Sequence, residues 1–217
     1  MLNVSMSPRS AVANEQRRER AKSRILEAAH ALFTERGYDA TTLAQVSRRA
    51  GVSAGLTVYY FRTKQHLVQA LADRLLHARM VRAARAAAGP DEQLAAVIDA
   101  VLQTAVEEPQ IIAMHLALLL QPGVAELLAD GEHEWEQQLP GLLTDALAGR
   151  GDPGHEWMLF RATMMGAAYG VVSPYLPMPH VLTRERLFAE YGLAWDLGSP
   201  PDEARPAGSR SHLEGVR

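Results

Sequence analysis

The stretch of residues 53–64 carries small, hydroxyl-bearing and basic side chains in an order that suits contact with a polyanion. Ala54 and Gly55 leave the first turn of a predicted short helix without bulk, so that this end can approach another surface closely. Downstream hydroxyl and ammonium groups can donate hydrogen bonds to phosphate oxygens. They belong to Tyr59, Tyr60 and Lys64. This chemistry predicts a helix that enters the major groove of DNA.

The residues around this stretch predict a helix-turn-helix that positions it. Gly51 permits a left-handed turn after a helix at about 43–50, because glycine has no Cβ to resist a positive φ. Ser53 can cap the next helix, at about 53–60. Thr42 begins a capping-box pattern with the glutamine three positions later. A longer helix should precede these two, beginning at about residue 15 and ending at the glycine at position 37.

Charge is distributed unequally along the chain. Residues 1–85 hold 15 Lys and Arg against 6 Asp and Glu, a net charge of +9; residues 86–217 hold 7 against 19, a net of −12, and the two sum to −3. A basic first part favours contact with nucleic acid. Arginines crowd the start of the predicted first helix, and we expect phosphate contacts from Arg17 and Arg24. The alternative is an ordinary solvated helix face.

Several other classes of protein receive no support from the sequence. The chain has no cysteine, which excludes disulfides and thiolate metal sites. His133 and His155 each precede a glutamate, but neither begins the His-Glu-x-x-His pattern of zinc hydrolases, and no nucleophile elbow or glycine-rich phosphate loop is present. We therefore expect no catalytic residues, no metal and no cofactor. The longest apolar run, at 111–120, is too short to span a membrane and no secretory signal is evident, which favours a cytoplasmic protein.

Residues 24–67 resemble the DNA-binding domain of the tetracycline-repressor (TetR) family of bacterial regulators. The matching residues are Arg24-Ile-Leu-Glu-Ala-Ala29, Leu32-Phe33, Gly37-Tyr38, Thr41-Thr42, Ala50-Gly-Val-Ser53, Gly55, Phe61, Lys64 and Leu67. The resemblance implies an all-α homodimer, with an N-terminal three-helix helix-turn-helix domain and a C-terminal helical domain that dimerises and binds a small effector. It also implies two recognition helices in successive major grooves.

Two positions depart from the family pattern, which usually has a leucine and then a tyrosine where this chain has Thr57 and Val58. Val58 cannot make the phosphate hydrogen bond of a tyrosine, so operator contacts are expected to shift to Thr57, Tyr59 and Tyr60. Among these, Thr57 is expected to read bases. The complete set of predicted DNA contacts is Arg17, Arg24, Thr41, Thr42, Ser53, Ala54, Gly55, Thr57, Tyr59, Tyr60 and Lys64.

Beyond residue 62 the sequence predicts a regulatory and dimerisation domain over residues 63–197. It begins with a linking helix at 63–87, whose inner face should carry Leu67, Leu71, Leu75 and Ala78. A helix over 153–172 carries Ala162, Gly166 and Gly170 at four-residue spacing, and these small residues favour the close approach of a second helix. A dimer interface and an intramolecular neighbour are both open alternatives. Residues 1–14 and 198–217 are expected to be disordered.

A ligand pocket in this domain should be lined by apolar helices with a few polar groups. The candidates are Met114, His115, Trp135, Trp157, Arg161, Met164, Met165 and Tyr169. A guanidinium on an apolar face needs a partner, so Arg161 could hold a ligand carboxylate or phenolate, or form a salt bridge within the protein. The histidine and methionines could equally be ordinary core residues.

These patterns together predict a DNA-binding transcriptional regulator whose partners are operator DNA, a second copy of the chain and an unidentified small effector. A repressor released from its operator by the effector is the preferred hypothesis. The alternatives are a regulator that needs no ligand or that activates, and an enzyme or adaptor that has lost DNA binding. The sequence names neither the effector nor the operator.

Overall fold

The computed structural model describes residues 8–121, 134–175, 177–194 and 196–197, with the side chains of residues 8–11 and 134–137 left out. The described residues are helical or irregular, in agreement with the predicted all-α class. The helices are α1 (Pro8–Arg36), α2 (Leu43–Ala50), α3 (Ala54–Tyr60), α4 (Lys64–Ala72), α5 (Ala78–Ala86), α6 (Pro90–Glu107), α7 (Pro109–Leu119), α8 (Glu134–Leu147), α9 (Pro153–Val172) and α10 (His180–Tyr191). A π-helical segment, Asp73–His77, joins α4 to α5.

The local signals around α2 and α3 are confirmed. The Thr42 hydroxyl accepts the Gln45 amide while the Gln45 side chain accepts the Thr42 amide, which completes the capping box. Gly51 ends α2 with φ 62°, and its amide donates to the carbonyls of the preceding turn. Ser53 caps α3 by accepting the Leu56 amide at 3.1 Å. These contacts fix the turn between the two helices.

The first helix begins earlier than its pattern suggests. α1 starts at Pro8, and residues 8–14 therefore belong to a helix. The prediction of disorder over residues 1–14 is wrong for this part, and residues 1–7 lie outside the described residues. The stretch contains alanines, polar residues and a proline at its first position, all of which a helix tolerates there. Its lack of an apolar stripe did not prevent helix formation.

The linking helix departs from a regular α-helix at Asp73–His77. Leu67 and Leu71 are buried as predicted, but beyond the wider π turn the buried position is Leu76 and not Leu75. A π turn holds one more residue than an α turn, so it moves the inner face along by one position. Ala78, predicted on this face, is half-buried.

Two clusters of buried apolar side chains organise the described part of the chain. The first joins α1, α2 and the start of α4, and the second joins α5, α6, α8, α9 and α10. Helix α7 contributes to both, because Ile111 and Leu118 pack in the first cluster and Ile112 in the second. This helix therefore connects the two clusters. The predicted division at residue 62 stays a prediction, since the first cluster continues through Leu67 and Val68.

Helix α10 is fixed to α6 by a buried ion pair. Arg184 is 3% exposed; its Nε donates to Asp99 Oδ1 at 2.6 Å and its Nη2 to Asp99 Oδ2 at 3.2 Å. The same Nη2 donates to the Leu197 carbonyl at 2.7 Å. Burial raises the pKa of Asp99, and the guanidinium opposes that shift. The pair thus orders the end of the described chain against the central helix. Pro122 predicts the start of a further helix, at about 122–129, and this stretch lies outside the described residues.

Candidate DNA interface and effector cavity

The outer surface of α3 presents small residues first and then larger ones. Ser53, Ala54 and Gly55 are exposed at its N-terminal end, and a Cβ added to Gly55 would meet nothing within 4 Å. One turn later Val58 is 47% exposed and Tyr59 72% exposed. The result is a narrow helix end that leaves room for a groove edge, followed by a phenol directed to solvent.

Thr57 is not part of this surface. It is 0% exposed, and its Oγ1 accepts a hydrogen bond from the Ser47 hydroxyl at 2.8 Å. The prediction that Thr57 reads bases is therefore wrong. Its hydroxyl joins α3 to α2 and fixes the angle between the two helices. Val58 occupies the exposed position beside it.

Two further predicted contacts are held inside the domain. Thr41 is also 0% exposed, and its hydroxyl donates to the Gly37 carbonyl at 2.9 Å and to the Leu32 carbonyl at 3.3 Å. Lys64 Nζ donates to the Tyr38 carbonyl at 2.8 Å and lies 4.1 Å from the centre of the Tyr38 ring. Thr41 is buried and does not reach the surface. Lys64 ties α4 to the loop after α1 but stays partly exposed, so its phosphate contact remains a prediction.

The other predicted contacts lie on or beside the exposed surface. Arg17 and Arg24 are exposed or partly so, and Arg24 Nη2 donates to the Gly51 carbonyl at 3.2 Å, so its charge sits at the turn. Thr42 is exposed and shares its hydroxyl with the capping box. Tyr60 is half-buried, with its ring 5.1 Å from that of Tyr59. Their contact with DNA stays a prediction.

One basic side chain next to the turn is absent from the predicted DNA contacts. Arg48, in the last turn of α2, is exposed beside the residues that lead into α3. Its neighbour Arg49 is instead bound by Glu35 through two bonds of 2.6 Å. Its place in the sequence could have identified Arg48 as a candidate DNA contact, because it lies three residues before Gly51, at the turn that leads into α3.

A small apolar cavity lies between the linking helix, α6, α7 and α9. Its volume is about 60 Å³. Five of the predicted ligand residues line it: His115, Trp157, Arg161, Met164 and Met165. The aromatic and thioether side chains converge on one space there. Helix periodicity on α7 and α9 was sufficient to bring these residues together.

Two predicted ligand residues lie away from this cavity, and a third cannot be placed. Met114 packs against the first apolar cluster, and Tyr169 is 55% exposed. The Trp135 side chain lies outside the described residues. Three lining residues from the linking helix were not predicted, namely Leu76, His77 and Met80. That helix was expected to act as a link alone, and the π turn that directs Leu76 inward has no recognised sequence signal.

The cavity is small for an organic ligand. Its volume is about 60 Å³. Pockets for organic ligands usually measure roughly 300–1,000 Å³. A ligand of that size needs the surrounding side chains or helices to move apart.

The small-residue face of α9 divides into two parts. Ala162 and Gly166 are exposed, and a Cβ at Gly166 would meet nothing within 4 Å. Gly170 is buried; a Cβ there would lie 2.5 Å from Met178 Sδ, and the Met178 amide donates to the Gly170 carbonyl at 2.9 Å. Gly170 therefore serves an intramolecular contact, so its predicted place in a dimer interface is wrong. For Ala162 and Gly166, a place in the dimer interface stays a prediction.

The described residues hold no group of three or more His, Asp or Glu side chains placed to bind a metal ion. Among the described helices, none has both the length and the apolar content that crossing a membrane requires.

The match to a known protein family lies in the N-terminal part of the chain. Residues 25–71 match the family model for bacterial regulatory proteins of the tetR family. The regulator TtgR of Pseudomonas putida is 40% identical over 74 residues, which cover 34% of this chain and 35% of TtgR. The repressor KstR of Mycolicibacterium smegmatis is 36% identical over 97 residues, 43% of this chain and 47% of KstR. The chain thus matches between about a third and a half of these relatives' length.

The similarity of fold extends further than the similarity of sequence. The crystal structure of the regulator FadR from Bacillus subtilis in complex with stearoyl-CoA superposes with a TM-score of 0.60 at 17% identity. That superposition covers 78% of this chain and 96% of FadR, so the α6–α10 region shares the fold as well. Residues 25–71 thus resemble the tetR family of bacterial regulatory proteins, and the rest of the described chain resembles this solved regulator in fold.

Proposed function

We propose that the chain binds operator DNA through α3 and regulates transcription there. The observation that carries the proposal is the exposed end of α3, where Ala54 and Gly55 precede an outward-facing Tyr59. Arg24 and Arg48 flank this end with positive charge. Contacts of such groups with the DNA backbone orient a protein on DNA, while contacts with the bases determine which DNA sequence it prefers. With Thr57 buried, base contacts fall to Ser53, the first turn of α3 and Val58.

Replacing Tyr59 with phenylalanine tests the phosphate contact without removing the ring. A hydrogen bond to a charged group contributes roughly 1.5–3 kcal/mol, so we expect about a tenfold or greater loss of affinity, equal on operator and on random DNA. Fluorescence anisotropy with both duplexes, at one salt concentration, measures it. Tyr175→Phe is the matched control, because Tyr175 is also exposed but lies after α9. Unchanged affinity of the Tyr59→Phe variant would remove this contact from the proposal.

Dimerisation through α9 and α10 is the second element of the proposal. Leu159, Ala162, Gly166 and Tyr169 recur on one side of α9, and all four are exposed or partly so, with Leu159 at 61% and Tyr169 at 55%. Leu182 on α10 is 59% exposed. An apolar face with a small residue near its centre suits close packing of a second copy. Two copies would place two recognition helices for successive major grooves, about 34 Å apart.

Gly166→Leu should separate the dimer. A leucine fits the free protein because nothing lies within 4 Å of the added Cβ, but it would hold a partner helix away. Sedimentation velocity should show a monomer where the parent chain is a dimer. The control is Gly141→Leu, since Gly141 is also exposed in a helix with nothing within 4 Å. If the Gly166→Leu protein sediments as the parent does, this face is not the interface.

Release of DNA by a small effector is the third element. The closed cavity, lined by movable methionines and by the linking helix, supports a site that opens around a ligand. The repressor name of KstR and the stearoyl-CoA complex of FadR are consistent with a repressor and with a fold that accommodates a ligand. To move the protein from almost fully bound to almost fully released, an effector must favour the released state by roughly 10⁴-fold. A regulator without ligand, or an activator, is the alternative.

A genome-wide binding footprint tests the proposal as a whole. A shared inverted repeat at the occupied sites supports a dimeric DNA-binding regulator. Expression measured after deletion then separates repression from activation, because repressed genes rise and activated genes fall. Occupancy without any common motif would favour the adaptor or enzyme that has lost DNA binding.

A further inference from the structure

The polar side chains that line the cavity are basic. Arg161 reaches it from α9, His115 from α7 and His77 from the π-helical segment, while no aspartate or glutamate belongs to the lining that the structure describes. The two imidazoles are 5% and 6% exposed, and their ring centres lie 5.2 Å apart. The remaining lining consists of aliphatic, aromatic and thioether side chains. The space therefore has an apolar wall and one group of nitrogen donors.

An acidic group, Asp73, stands behind one of these donors. Asp73 Oδ1 contacts His77 Nδ1 at 2.7 Å and accepts a hydrogen bond from Gln69 Nε2 at 2.9 Å. Asp73 is not among the lining residues, so its carboxylate holds the imidazole from outside the cavity. Gln69 thus holds the carboxylate, and the carboxylate orients the His77 ring.

We propose that the effector is an apolar weak acid, such as a carboxylic acid or a phenol, which binds as its anion. Its body would lie against the apolar wall and its charged oxygen against Arg161 and the imidazoles. A cation would face like charge, and a neutral alcohol would forgo the charge-assisted bonds, which are about twice as strong as neutral ones. This inference rests on the proposed function and adds to it the chemical class of the ligand.

The position of the π-helical segment gives the ligand a route to the DNA-binding helices. Leu76 and His77 of this segment line the cavity. Arg74, two residues before Leu76, reaches α1, with Nη1 3.2 Å from the Ser23 hydroxyl and Nη2 3.7 Å from Glu27 Oε1. Ligand entry must enlarge a cavity of about 60 Å³, so it presses on the segment that also holds α1. The segment would transmit the change directly.

Ligand binding is tested first without DNA, so that its result is independent of the proposed regulatory function. Benzoate, butyrate, octanoate and dodecanoate are compared with their matched alcohols and amines by thermal shift and by calorimetry. At least one acid should bind about tenfold or more tightly than its alcohol, while its amine does not bind. If every acid is equalled or exceeded by its alcohol or amine, the proposal is overturned.

The preference for an anion must depend on the basic lining. Arg161→Gln should reduce the acid-to-alcohol ratio to below about threefold, since charge assistance is lost, while Arg161→Lys should restore much of it. Far-ultraviolet circular dichroism confirms that each variant is folded. Should the glutamine variant not fold, the ratio measured with His115→Gln replaces it. An unchanged ratio in a folded variant contradicts the assignment of the anion site.

The route through Arg74 has its own experiment. Arg74→Ala should bind the acid as the parent protein does, yet the acid should release operator DNA at least about tenfold less effectively, because the link to α1 is missing. Anisotropy titrations with and without the acid give that coupling ratio. Equal coupling in the two proteins overturns the route. If the acid binds but the parent protein shows no DNA binding, the ligand class stands and the regulatory function fails.

Discussion

Replacing Gly55 with leucine is expected to make the protein more stable and to abolish its specific binding to DNA. The added Cβ meets nothing within 4 Å in the free protein, and a helical glycine costs up to about 1 kcal/mol relative to a good helix former. The same side chain would stand between the first turn of α3 and the floor of the major groove. Specific complexes are roughly 10³–10⁷ times tighter than non-specific ones, so we expect at least about a 10³-fold loss on the operator.

Two variants make this result interpretable. Gly55→Ala adds only a methyl group and should keep most of the affinity while also gaining stability. Gly141→Leu should gain stability at a position remote from α3 and leave DNA binding unchanged. Urea unfolding and anisotropy, performed on all three proteins, separate the two effects. Operator binding by the Gly55→Leu protein at the parent's affinity would show that α3 does not enter the groove through this end.

Much of the helix-turn-helix could be predicted because its signals are local. A cap or a left-handed glycine acts on residues three or four positions away. The roles of Thr42, Gly51 and Ser53 can therefore be predicted from the neighbouring sequence alone. The apolar stripe of α6 was equally readable, since its core positions from Leu94 to Ala105 repeat with the helix period. The family resemblance added the dimer and the effector as expectations, which local patterns do not contain.

The errors concern contacts between residues that are distant in sequence. Thr57 looked like a surface hydroxyl, but the hydroxyl of Ser47, ten positions earlier, gives it a buried partner. The cavity included His77 because a π turn changed which side of the linking helix faces inward. Arg184 was not singled out from the sequence, although its guanidinium is deeply buried, because its partner Asp99 lies 85 positions earlier. Single-sequence periodicity does not contain these pairings.

Arg184→Met should cause the largest loss of stability among the substitutions considered. The methionine keeps much of the length of the side chain but leaves Asp99 and the Leu197 carbonyl without the guanidinium that both now contact. Breaking one partner of a fully buried pair costs about 3–5 kcal/mol. Because the Asp99 side chain is 20% exposed, we expect a loss at or below the lower end of that range. Urea unfolding should give a lower midpoint with an unchanged slope. Arg49→Met, which breaks the exposed pair with Glu35, should change the midpoint little.

The dependence of this loss on pH identifies its cause. Burial raises the pKa of Asp99 above its ordinary value, and Arg184 restrains that rise; without Arg184 the pKa should rise further. A carboxyl whose folded pKa exceeds its unfolded pKa loses stability as pH increases between the two values. The deficit of Arg184→Met should therefore be largest at neutral pH and shrink as pH falls below the raised pKa. Adding Asp99→Leu should remove the pH dependence and most of the deficit, leaving the part that comes from the Leu197 carbonyl. A deficit that is equal at all pH values would point instead to lost packing of the Arg184 stem.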